Sequence, residues 1–260
     1  MNEFMKKTTC LAVLLSLTAT QPAARAQPLD PIPIAISAQA LIDQGDRRQD
    51  NGDIDRGIAL LRDGLGRYPD DPLLLHYLGY ALYRKSESLE ARAADPLLRE
   101  ADKYLQASEA RDGLAETPAL RAIILGQLIS TNPRHLVSLA DVSDFQMRLA
   151  LKLGPKNPRV WLLRGIGAMY APAVAGGSLD QARQFLLKAK GLFDGDAPAA
   201  GKPSWGRQEV DAWLGQVYAR RGQYELATAA YEGVLRATPD YFWVRDVLVP
   251  RLRDAEHGRK

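Results

Sequence analysis

The stretch Gln208 to Pro239, QEVDAWLGQVYARRGQYELATAAYEGVLRATP, decides the reading of the whole sequence, because it holds two apolar stripes at helical spacing on either side of one turn. Val210, Trp213, Leu214, Val217 and Tyr218 share one helical face, and Gly215 leaves a notch where a neighbouring helix can approach. Gly222 breaks that helix. A second stripe follows at Tyr224, Ala227, Tyr231, Val234 and Leu235, and Pro239 ends it because its ring cannot continue a helix.

The set Leu214-Gly215, Tyr218, Gly222, Ala227, Tyr231 and Pro239 resembles a tetratricopeptide repeat of about 34 residues, with Val234 where a small alanine is usual. The resemblance implies an all-α, right-handed α-solenoid of helix pairs with a C-terminal capping helix. It also implies a non-enzymatic protein-interaction scaffold, in which the first helix of each pair lines a concave face.

The same pattern extends outward over residues 34–255. In 34–69 it is degraded: Leu41 and Gly45, then Gly52 at the turn, then Ile58, Leu61 and Leu65 before Pro69. Units 71–113, 117–155 and 157–193 each start with a capping side chain and a proline, at Asp71-Pro72, Thr117-Pro118 and Asn157-Pro158. Proline at the first helical position loses no needed N–H, and the residue before it accepts from the first-turn amides. These starts lie farther apart than one standard repeat, so the turns carry insertions. Residues 84–95 are charged and helix-prone, and Asp95-Pro96 is expected to start the next helix afresh. Asn132-Pro133 breaks the third unit, and 171–177 interrupt the fourth before a capping box of Ser178 and Gln181. A small-residue linker, 191–203, precedes the complete repeat at 204–239; residues 240–255 form the cap, and 256–260 a tail.

Residues 1–26 read as a secretory leader, with Lys6 and Lys7, an apolar run Leu11 to Leu17, and Ala24-Arg25-Ala26. Residues 27–33 are a proline-rich lead-in. The expected protein is exported, periplasmic or secreted, with no membrane span after the leader. Its single cysteine, Cys10, falls inside that leader, so disulfides, catalytic thiols and thiolate metal sites are not expected in the mature protein. The formal charge of +3 falls to about +1 when Glu3, Lys6, Lys7 and Arg25 leave, which offers no attraction to nucleic acid.

His76, His135 and His257 are scattered, with no paired-ligand spacing, so neither a catalytic nor a metal site is expected, and no cofactor. Gly176-Gly177-Ser178 lacks the lysine of a phosphate loop and reads as a tight interhelical turn. Taking register from Gly79, Gly126, Gly165 and Gly215, the concave face is expected to present His76, Tyr80, Tyr83 and Arg84, then Ile123 and Gln127. Leu162, Ile166, Met169 and Tyr170 follow, then Gln216 and Arg220. An open face of this composition suits a peptide or protein partner of unstated identity, with Arg84 and Arg220 free for a carboxylate. If the insertions or the C-terminal helix fold over it, the same residues become core. A closed superhelix around a small apolar ligand, serving a transporter, is the alternative.

Overall fold

The computed structural model describes residues 30–111 and 113–258, so the leader, Cys10 and residues 27–29 of the proline-rich lead-in lie outside the described residues. All regular structure among the described residues is helical. Five antiparallel pairs follow one another: α1 (Ile32–Arg48) with α2 (Asn51–Arg67), α3 (Pro72–Ser86) with α4 (Ala91–Glu109), α5 (Glu116–Thr131) with α6 (Leu136–Leu153), α7 (Pro158–Tyr170) with α8 (Leu179–Phe193), and α9 (Arg207–Arg220) with α10 (Tyr224–Ala237). A π-helical stretch, Trp243–Leu248, runs into α11 (Val249–His257), with Pro250 in the first turn of α11. No described helix is long and apolar enough to cross a membrane.

The helix starts follow local chemistry. Asp71 accepts from the Leu74 amide at 2.9 Å, Asn157 from Arg159 at 3.0 Å, and Ser178 from Gln181 at 3.0 Å, each supplying a partner to a first-turn N–H that the helix itself cannot satisfy. Two expectations fail for identifiable reasons. Thr117 does not cap α5, which starts at Glu116 without a side-chain cap; its hydroxyl instead pairs with His76 Nδ1 at 2.9 Å. Asp95-Pro96 does not restart a helix, because α4 already runs from Ala91 and carries Pro96 inside it.

The pairs are fixed by close approach at small residues. A Cβ on Gly79 would fall 2.5 Å from Leu105 Cγ, one on Gly165 would fall 2.7 Å from Leu186 Cγ, and one on Gly215 would enter the Tyr231 ring. Gly126 has open space around it, so the third unit does not share that register. Counting from the cap-proline starts, the buried Leu125 occupies the equivalent place on α5.

One apolar core runs from Ala35 on α1 to Val217 on α9, and a second joins Ala212, Ala227, Tyr231 and Val234 to Tyr241, Val244, Leu248 and Leu252. The linker before α9 does not loop away from the array. Arg159 donates to Asp196 at 2.5 and 3.2 Å, Tyr77 donates to the Gly201 carbonyl at 2.9 Å, and Gln39 donates to Ser204. Trp205 stacks on Tyr80, and Gly206, at φ 99°, turns the backbone against Leu162 and Phe193. Residues 196–206 therefore line the inner side of α1, α3 and α7. Arg48 then reaches Asp240 at 3.0 Å, so the last turn of the superhelix meets the first.

Candidate functional site

The inner residues divide into a buried and an accessible group. His76, Tyr80, Tyr83, Arg84, Ile123, Leu162, Ile166 and Met169 are buried. Gln127 and Gln216 are half-buried, and Tyr170 and Arg220 are exposed. Solvent access along the whole expected groove is thus corrected: only the α7–α9 end remains open. The 196–206 segment and α9 contribute through Trp205 on Tyr80 and Glu209 on Arg84, and Glu87 of insertion 84–95 adds contacts to Tyr83 and Arg84.

The buried group is built around one guanidinium. Arg84 donates through Nε to the Tyr80 hydroxyl at 3.0 Å, through Nη1 to Glu87 at 2.9 Å and through Nη2 to Glu209, with Asp46 at 3.8 Å. Its guanidinium also lies over the Tyr80 ring, 5.2 Å from the centroid. Tyr80 donates to Asp43 at 3.5 Å, and Tyr83 donates to Glu87 at 2.9 Å. One cation thus faces four carboxylates, two from α1, one just after α3 and one from α9. Burial pushes the Asp43 carboxyl up to about 6, against the hydrogen bond from Gln39 and the charge of Arg84. Burial, with Glu209, Glu87 and Asp43 adding repulsion, pushes Asp46 up to about 7 even though Arg84 opposes the shift.

The open end is aromatic and rich in donors. Tyr170, 57 % exposed, stands edge-on to Trp213 at 6.2 Å, and Trp213 packs on Trp243 at 4.8 Å. Arg220 lies 4.8 Å over the Tyr170 ring and reaches the Met169 carbonyl at 3.5 Å. Trp213 Nε1 and Gln216 Nε2 are buried without a hydrogen-bond partner among the described residues. A buried donor left unpaired costs about 1–3 kcal/mol.

Elsewhere the surface offers less. Shallow clefts of about 350 Å³ and about 330 Å³ lie along α8 to α10 and beside Arg159. Val137, Val142, Phe145 and Leu153 are exposed along α6. Among the described residues no group of three or more His, Cys, Asp or Glu is arranged to hold a metal ion.

Sequence reasoning misses Asp43, Asp46, Glu87 and Glu209, whose spacing is that of ordinary solvated helix faces. It also misses the 196–206 segment. The one available signal there is Trp205, a large apolar ring in a run of small residues, which a purely solvated linker would leave exposed.

Comparison with known proteins agrees with this architecture. Residues 42–104 match the tetratricopeptide repeat family model. No curated protein matches. Among solved structures, the HusA haemophore from Porphyromonas gingivalis is 23% identical, with a TM-score of 0.58, covering 70% of this chain and 94% of its own. A thermophilic TPR protein of Thermus thermophilus is 18% identical, also with a TM-score of 0.58, covering 84% of this chain and 98% of its own.

Proposed function

We propose that this tetratricopeptide-repeat protein is a non-enzymatic interaction module of the cell envelope that takes a polypeptide partner at the open α7–α9 end of its inner face. The observation that carries this reading is the accessible pair Tyr170 and Arg220, the guanidinium 4.8 Å over the ring, backed by Trp213 edge-on to Tyr170. Together they present an aromatic shelf and one cation. A segment with an apolar side group beside a carboxylate, such as a free C-terminus or an Asp or Glu next to Leu or Phe, satisfies both. Placement in the envelope rests on the leader-like residues 1–26.

A second reading has one specific observation behind it. The open α7–α9 end is aromatic, and a protein of similar fold is named a haemophore, so a small apolar ligand of the haem class is the alternative occupant there.

Native mass spectrometry of residues 27–260, purified gently from the envelope, tests both. A second polypeptide that disappears in the Tyr170→Ala/Arg220→Ala variant supports the scaffold reading, whereas bare protein in both samples counts against it. A discrete added mass of a few hundred daltons, lost on unfolding, favours the small ligand.

A further inference from the structure

In a repeat array each pair contacts its sequence neighbours, and distant pairs have no need to touch. Here they do. Glu209 at the start of α9 reaches Arg84 on α3, Asp240 after α10 is held by Arg48 at 3.0 Å and Arg47 at 3.4 Å on α1, and Trp205 stacks on Tyr80. These contacts form a seam between the first two repeats and the last.

We propose that the cluster of Asp43, Asp46, Glu87 and Glu209 around Arg84 is a proton-controlled latch, which holds the seam shut in mild acid and loosens it as the carboxylates ionise. The charge balance is set by geometry. From α1 come Asp43 and Asp46; from α3 come Tyr80, Tyr83 and Arg84, with Glu87 just after it; from α9 comes Glu209, with Tyr241 buried after α10. On α2 Asp53 is engaged by Arg56, and just before it Asp50 caps the Gly52 amide. Arg47 and Arg48 are committed to Asp240. Arg84 makes its closest contacts with Glu209 and Glu87, which leaves Asp46 farther off at 3.8 Å, with Asp43 bonded to neutral groups. Those two are the carboxylates that keep a proton most readily, in keeping with their rise to about 7 and about 6.

The sign follows from linkage. The closed seam binds the proton more tightly than the open one, so closure is fully favoured below about pH 4. That advantage fades as pH rises through 6 to 7. Asp46 keeps 23 % of its side-chain exposure, so water moderates the effect without reversing it. Opening uncovers Tyr80, Tyr83 and Arg84, and the latch requires no particular partner.

The test is a distance measurement across the seam. Residues 27–260 contain no cysteine, so paired spin labels at Ala40→Cys on α1 and Arg251→Cys on α11, both exposed, report it without background. Between pH 5 and pH 8 the ratio of long-distance to short-distance populations is expected to rise at least about tenfold, the effect of one unit of pKa difference. Helix content is expected to stay constant. Asp46→Asn, which keeps a permanently neutral group there, is expected to flatten the response, whereas Asp240→Asn should shift the ratio equally at both pH values. An unchanged distance distribution from pH 5 to pH 8 overturns the proposal. So does a response that survives in both Asp46→Asn and Asp43→Asn.

Discussion

Trp205 lies flat on Tyr80, with ring centroids 5.0 Å apart and planes inclined by 13°, although one stands just after a linker of small residues and the other in the second repeat. The pair ties the linker to the inner wall. Trp205→Ala removes a ring that is only 4 % exposed and opens a cavity, so a loss of about 3–5 kcal/mol is expected in urea unfolding. A loss under about 1 kcal/mol would place the ring in solvent.

Two glycines on corresponding helices should behave oppositely. Gly215→Leu drives a side chain into the Tyr231 ring and is expected to unfold the α9–α10 pair, read as lost hydrogen-exchange protection there. Gly126→Leu meets open space and should leave stability unchanged or slightly raised, because leucine holds a helix better than glycine by roughly 0.5–1 kcal/mol.

That contrast shows how far the sequence can be read. The helix pairs are legible because Pro72, Pro158 and the Gly79, Gly165 and Gly215 notches are local features, fixed by backbone chemistry and 3.6-residue spacing. The third unit is misread by one position: Gly126 looks like the others, but Leu125 holds their place. The inner face is legible as apolar and not as filled, since the Glu209 that meets Arg84 stands 125 residues later, and Trp205 comes equally late onto Tyr80. Periodicity carries no information about such long-range contacts.

Global stability should fall as pH rises through the mildly acidic range. Asp43 and Asp46, pushed up to about 6 and about 7, bind protons in the folded protein that the unfolded polypeptide releases near the ordinary 3.8. Their contribution is complete below about pH 4 and is lost by about pH 7, a change on the order of 1–3 kcal/mol. Asp46→Asn should therefore be more stable than the parent at pH 8 and nearly equal to it at pH 4.5. Chemical denaturation at the two pH values decides this.

Tyr170→Ala with Arg220→Ala should separate binding from folding. Both side chains are exposed, so melting is expected to shift by no more than about 1 kcal/mol in equivalent stability. Binding of a partner at this end should weaken at least tenfold by titration calorimetry. A large drop in melting temperature would make the pair structural.

The hydrogen bond between Arg48 and Asp240 spans 192 residues of sequence, and that between Gln39 and Ser204 spans 165. Helix pairs form from near neighbours and can appear as soon as their own residues exist. Contacts of this separation must wait for loop closure across most of the sequence. During synthesis the first repeats are therefore complete in backbone yet exposed along Tyr80 and Tyr83 until roughly the last fifty residues emerge. A truncated protein ending before Trp205 should hold its early helices and be prone to aggregation, its inner wall left uncovered.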